Sequence, residues 1–174
     1  LSRYGGWGGI PQAFDEENTQ WSEEYRQLKE LLTEKEYDAA RSSTPNAHYT
    51  SPTVIRAMYD AIEKMGFRTG NVLEPSCGVG NFFGMLPDDM SSSRLYGVEL
   101  DSITGRIARQ LYPDARITIS GFEKTQRRDF FDLAIGNVPF GGYKVSDKQF
   151  DKYNFLIHDY FFAKTLEQVR PGGV

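Results

Sequence analysis

The apolar positions of this chain change their period along its length, and each change predicts an element. Trp21, Tyr25, Leu28, Leu31 and Leu32 recur at the spacing of a helix face. Thr33 and Glu36 then form a capping-box pair, which predicts the start of a second short helix. Residues 1–20 are Gly-rich with scattered aromatics and hold neither period, so they read as an irregular segment laid over the rest. Residues 1–44 are therefore expected to form an irregular and helical N-terminal extension, and residues 45–174 the main domain.

Within that domain, Ser51 and Pro52 stand as N-cap and first residue of a helix whose Val54, Ile55, Met58, Ile62 and Met65 make one stripe, ended by Gly66. Four short apolar runs of strand character follow, at 71–76, 94–100, 115–120 and 131–137. Between the second and third, Asp101 caps a predicted helix with Ile103, Ile107 and Leu111 on one face, closed by Pro113. A last helix is predicted from about Asn154 to Val169, stopped by Pro171-Gly172-Gly173. This alternation is that of an open, mostly parallel α/β sheet, whose ligands sit at the carboxyl ends of the strands.

Composition narrows the class. With 174 residues, 39% hydrophobic, the chain is large enough for one sizeable core. No apolar run approaches the roughly 20 residues of a membrane span, and no signal-peptide pattern opens the chain, so a soluble intracellular protein is expected. A single cysteine excludes an intrachain disulfide framework, and with two separated histidines it makes no zinc pattern; no metal is expected. The net charge of −4 argues against holding nucleic acid by bulk electrostatics, so such a partner would be gripped locally or by other regions. The chain opens on Leu1 and stops at "RPGGV", a turn that heads toward a new strand, and it reads as a piece of a longer protein.

The chemistry gathers at the strand ends. Glu74 ends the first strand, and Gly78 and Gly80 occupy the turn after it, where glycine lets backbone approach a ligand and a following helix would offer free N–H groups. The spacing is not that of the dinucleotide fingerprint, since Phe83 stands where a small residue belongs. Glu99 ends the second strand, 21 residues after Gly78, where a carboxylate can accept both hydroxyls of a ribose. The plain alternative is an ordinary βα turn and a solvated glutamate; the two features together favour an adenosine-containing ligand. Glu74 would repel a pyrophosphate but suits an ammonium group, which favours S-adenosylmethionine over a nicotinamide dinucleotide.

At the end of the fourth strand stands Asn137-Val138-Pro139-Phe140. The exocyclic amine of adenine is a poor nucleophile, because its lone pair is delocalised into the ring. Two acceptors on its hydrogens, the Asn137 side-chain oxygen and the Val138 carbonyl, would stabilise the charge that develops as it attacks a methyl group. Pro139 aims that carbonyl by holding Val138 extended, and Phe140 would stack on a base swung out of its helix. Alone, these four residues would also fit a tight turn around a buried ring; after a donor loop and an acidic strand end they read as catalytic.

Here the chain resembles the S-adenosylmethionine-dependent amino-group methyltransferases of the N6-adenine DNA type, whose motif reads Asn-Pro-Pro-Tyr or Phe and is matched at three of four places. The departure is Val138. "HYTSP" (48–52) resembles the family's Tyr-Thr-Pro element with Ser51 inserted, which implies that Tyr49 and Thr50 touch the donor. "EPSCGVGNF" (74–82) resembles the donor loop, which adds Ser76, Cys77 and Asn81 to the implied donor contacts, and "GVELD" (97–101) the ribose-binding strand end. "GFEKT" (121–125) stands where the family contacts the donor's adenine, with Phe122 the candidate. The resemblance implies a Rossmann-like methyltransferase fold, truncated after the fourth strand and following helix. It also implies a DNA duplex with a flipped adenine as partner, a bacterial nucleoid-associated location, and direct methyl transfer with no covalent enzyme intermediate. Cys77 is expected to pack within the loop.

"YGGWGG" (4–9) and the stretch 154–173 are similar to large mobile-element proteins that join such a methylase to a helicase region. If truncated, the chain is expected to bind donor weakly and methylate DNA poorly. Two other readings stay open: amino-group methylation of a protein glutamine or an RNA, and a scaffold without catalysis. The loop 141–153 carries Lys144, Lys148 and Lys152 among Tyr143, Phe150 and Tyr153; it either closes over a target strand or is a solvated flexible loop.

Overall fold

The computed structural model of the chain describes residues 5–46 and 49–174. Tyr4 of "YGGWGG" and His48 of "HYTSP" lie outside the described residues. Four parallel strands, β1 (Asn71–Glu74), β2 (Arg94–Glu99), β3 (Arg116–Ile119) and β4 (Leu133–Ala134), form one sheet in the order β3-β2-β1-β4. The helices are α1 (Ser22–Leu31), α2 (Glu34–Ser43), α3 (Pro52–Lys64), α4 (Ser102–Leu111) and α5 (Ile157–Gln168).

Alternation along β1 divides the core. Val72 packs with Ile55, Tyr59 and Ile62 of α3 on one face, while Leu73 packs with Ile157, Tyr160 and Phe161 of α5 on the other. Burial on both faces explains why the central strands read as continuous apolar runs. Helix α4 covers β2 and β3 through Ala108, which clusters with Cys77, Phe83 and Ile117. Residues Ala13, Phe14, Tyr37 and Ala40 make a separate small core for the extension, with Trp7, Trp21 and Tyr25 against it.

The predicted starts hold because the caps are real. Thr33 and Glu36 exchange the reciprocal bonds of a capping box, and Ser51 accepts the Val54 N–H with Pro52 at the first turn. Two predicted faces are rotated. In α3 the inward residues are Ile55, Met58, Tyr59 and Ile62, while Val54 and Met65 are exposed, because the Tyr59 hydroxyl reaches the Phe82 carbonyl at 2.9 Å. In α4 the buried residues are Thr104, Gly105 and Ala108; these small side chains let the helix lie against β3, where a Cβ at Gly105 would meet Ile119 at 2.8 Å.

All four strands and the last helix are shorter than expected. β4 covers Leu133–Ala134 only, although the Asp132 and Ile135 N–H groups also bond β1. α5 begins at Ile157, since Asn154 takes a left-handed conformation (φ 58°) and Leu156 is extended. After the glycine loop no α-helix forms, only the 3-10 turns Phe83–Met85 and Asp88–Met90 on either side of Pro87. The helix N-terminus expected there is therefore not part of the structure. Val174 bonds Asp132 and Ala134 along the outer side of β4. Among the described residues no helix is long and apolar enough to cross a membrane.

Asp101 joins the extension to the domain. Fully buried, its carboxylate caps α4 by accepting the Ile103 and Thr104 N–H groups and the Thr104 hydroxyl, and it also accepts the Trp7 indole N–H at 3.0 Å. Replacing it with alanine leaves buried donors without a partner, so Asp101→Ala is expected to lose about 3 kcal/mol of stability. Urea unfolding of the two proteins checks this, and a loss below about 1 kcal/mol would deny Asp101 that joining role.

Candidate active site

In the order β3-β2-β1-β4, chain direction across the sheet reverses beside β1, and a crevice opens at the carboxyl ends of such strands. A cavity of about 250 Å³ lies at this place. It is lined by Tyr49 and Thr50 before α3, by Glu74, Ser76, Cys77, Gly78 and Asn81 from β1 and its loop, by Glu99 from β2, by Phe122, and by Asn137 and Pro139 after β4. Segments separated by almost ninety residues of chain thus share one wall. Val138, Phe140 and Gly80 do not line it.

The backbone of the loop is fixed by the acidic strand end. Glu99 accepts the Gly78 N–H on one oxygen and the Asp101 N–H on the other, both at 2.8 Å, which leaves a lone pair on each oxygen for a ligand. Gly78 has φ +55°, and a Cβ there would press on the Tyr49 ring at 3.3 Å. Gly80 has φ +85° and meets Tyr112 rather than the cavity, so its glycine serves the turn and its packing. On the other side, the Ser76 hydroxyl donates to the Asn137 main-chain carbonyl at 2.8 Å, tying the loop after β1 to the loop after β4.

Glu74 is the unusual group. It is 2% exposed, its Oε2 has no hydrogen-bond partner among the described residues, and the buried Thr50 Oγ1 is in the same condition. Burial, reinforced by the neighbouring Glu99 charge, pushes the Glu74 carboxyl well above the ordinary range. Glu99 is pushed up to about 7, burial outweighing the backbone N–H bonds it accepts. Burial also raises the Cys77 thiol well above its usual value, which keeps it protonated and leaves it as packing. Phe122 stacks on Phe161 with centroids 4.8 Å apart and is nearly covered. Phe140 is 56% exposed.

Sequence reasoning did not foresee several lining residues. Tyr143 and Val145 enter from the loop 141–153, and Gly6, Trp7, Ser42 and Ser43 from the extension. The loop is anchored: Asp147 accepts bonds from Tyr160 and the buried Lys164, and Lys144 bonds Asn154 at 2.5 Å. That anchoring is not what the second of the two readings of this loop, a solvated flexible one, implies, although Lys144, Lys148 and Lys152 are exposed. An aspartate followed, at separations of 13 and 17, by a tyrosine and a lysine on one helix face carries no local sequence signal.

This arrangement is the Rossmann-like fold of the S-adenosylmethionine-dependent methyltransferases. It superposes on a protein of Vibrio vulnificus assigned as the modification subunit of a type I restriction enzyme, with a TM-score of 0.56 at 19% identity, over 87% of this chain and 38% of that one. An assigned S-adenosyl-L-methionine-dependent methyltransferase of Methanococcus maripaludis gives 0.53 at 11% identity, over 82% and 62%. By sequence the chain is related to viral modification enzymes: Type II methyltransferase M.CvrRI of Paramecium bursaria Chlorella virus XZ-6E is 35% identical over 79 residues, 45% of this chain and 21% of that enzyme. Defense against restriction protein B of Escherichia phage P1 is 33% identical over 132 residues, 72% of this chain and 6% of that protein. The chain thus spans less than a quarter of either of these two relatives. No protein-family model matches it.

The raised carboxyls fix a sign for stability against pH. A carboxyl whose folded value lies above its unfolded 4.5 favours folding below that pH, and this contribution is lost as pH rises toward about 7. The ligand-free chain is therefore expected to lose stability across this window. Glu74→Gln, which removes the buried charge, is expected to match the parent near pH 4.5 and exceed it at about pH 8. Urea midpoints over the range test this, and a parent whose stability rises through the window would contradict it.

Proposed function

We propose that the chain is the donor-binding and catalytic core of an S-adenosylmethionine-dependent methyltransferase acting on the N6 amine of adenine in DNA. It would work within a larger restriction-modification or mobile-element protein of the bacterial cytoplasm, at the nucleoid. The observation that carries this reading is one cavity at the switch point that joins two acidic strand ends to Asn137 and Pro139. Its small share of the phage relative supports a module of something longer, in which a helicase region would be a further partner.

The donor fits the residues present. The orphaned Glu74 Oε2 and Thr50 Oγ1 are buried polar atoms that an ammonium and a hydroxyl or carboxyl group would satisfy. Glu99, held by two backbone bonds, keeps lone pairs for a ribose diol, and Phe122 offers an apolar wall for the adenine ring. When bound, the donor supplies an electrophilic methyl group on a sulfonium sulfur. The remaining steps fall to the chain. Phe140, exposed beside the cavity, would stack on the extruded base. The Asn137 side-chain oxygen and the Val138 carbonyl would accept the two amine hydrogens and stabilise the charge that develops on nitrogen. No step requires a covalent bond to the protein.

Calorimetric titration with S-adenosylmethionine is expected to show saturable binding that Glu99→Ala weakens at least about tenfold, with a nicotinamide dinucleotide as an inactive control. In the full-length protein, Asn137→Ala is expected to lower methyl transfer to DNA at least about 100-fold while leaving donor affinity within about twofold. Mass spectrometry of the digested DNA should find N6-methyladenine. Label in protein or RNA instead would move the substrate to those classes, and an unaffected Asn137→Ala would leave a scaffold.

A further inference from the structure

The wall of the cavity contributed by the extension has no place in the function described so far. Gly6 and Trp7 line the cavity, and so do Ser42 and Ser43 at the end of α2. Trp7 is half-buried and held from several directions. Its indole N–H donates to Asp101 Oδ2 at 3.0 Å, its ring meets Phe14 edge-on at 5.7 Å, and its carbonyl accepts the Ile10 N–H. Gly6, just before it, takes a left-handed backbone conformation at φ +67°. A second tie, Arg106 of α4 to Glu36 of α2 at 2.6 Å, fastens the other arm of the extension to the same helix.

The position of Trp7 says which part of a ligand it would meet. The Asp101 side chain that holds the indole belongs to the residue whose backbone N–H is bonded to Glu99. Two hydrogen bonds therefore lead from the ring to the carboxylate that ends β2. Glu74 and Asn137 lie farther across the sheet, at the ends of β1 and β4. A flat, polarisable indole beside a carboxylate that can take a diol is a surface for a nucleoside.

We propose that the extension completes the donor site, with Trp7 covering the nucleoside half of the donor, so that ligand binding and the seating of the extension reinforce each other. This rests on the donor reading above. The coupling is reciprocal: a ligand touching Trp7 strengthens the contacts that hold residues 5–10 on Asp101, and loosening those contacts weakens the ligand.

The chain has two tryptophans, Trp7 and Trp21, so Trp21→Phe leaves Trp7 as the sole indole reporter. Its emission is expected to change on titration with S-adenosylmethionine, S-adenosylhomocysteine and adenosine, and to stay constant with methionine. By calorimetry, Trp7→Ala is expected to weaken S-adenosylhomocysteine binding about tenfold, and Trp7→Phe, which keeps a ring but loses the Asp101 bond, only a few-fold. If the parent binds donor but Trp7 emission is silent and Trp7→Ala binds as tightly, the inference falls and the donor reading stands. If methionine alone moves the emission, Trp7 faces the wrong half and the inference falls. If the parent binds no donor, both fall. Should Trp7→Ala fail to fold, the emission of Trp21→Phe decides by itself.

Discussion

Two buried carboxyl groups face one cavity at the ends of adjacent parallel strands, each pushed toward its protonated form, and the rest of the site is arranged around that unfavourable fact. A buried carboxylate is stable only with partners, and here the partners are unequal. Glu99 has two backbone N–H groups, which shape the loop through Gly78 and start α4 through Asp101. Glu74 has an oxygen without any partner among the described residues. Burial holds the Glu74 carboxyl protonated in the free chain, a cost that a cationic ligand group beside it would remove. An ammonium held at Glu74 would convert a liability of the free protein into affinity for the ligand, and it would draw both carboxyls back toward their ordinary range.

The sheet order turns this pair into a site. β1 lies between β2 and β4, so its loop can bond Glu99 on one side through Gly78 and Asn137 on the other through Ser76. The groups at the ends of β2, β1 and β4 are thereby spaced by strand separations, about 5 Å each, rather than by flexible side chains. Parallel strands suit this because their connections leave the carboxyl ends to loops instead of closing them with hairpins. With no α-helix after the glycine turn, the Gly78 N–H is directed to Glu99, which fixes the loop backbone.

Much of the fold was legible because it is written in local signals. Capping residues, Pro52 and the four apolar runs fixed the elements, and acidic residues at two strand ends pointed to the cavity that lies there. What was illegible depends on packing. The inward face of α4 is set by small residues that no apolar stripe reveals, and Tyr59 turns inward because a carbonyl of a distant loop satisfies its hydroxyl. The contributions of Trp7, Tyr143 and Val145 to the cavity are long-range in the same sense, since a Gly-rich segment and a polar loop show no period that would place them. The tie of the extension through a capping aspartate was hidden for a further reason: Asp101 reads from sequence as a cap alone, and its second duty appears only when Trp7 arrives from 94 residues away.

The departure at Val138 has a physical explanation in this packing. A second proline at that position would fix the backbone locally, through its ring. Valine has no such constraint, but its side chain is half-buried in the cluster that also holds Phe122, Ile157 and Phe161. Its neighbours are fixed as well, Asn137 by the Ser76 hydroxyl and Pro139 by its own φ. The segment is thus held from the core side by apolar contact and from the β1 side by a hydrogen bond, while the proposed role would ask only for a main-chain carbonyl. Stiffness that the wider motif takes from covalent geometry is supplied here by burial, so the valine is compatible with a preorganised acceptor.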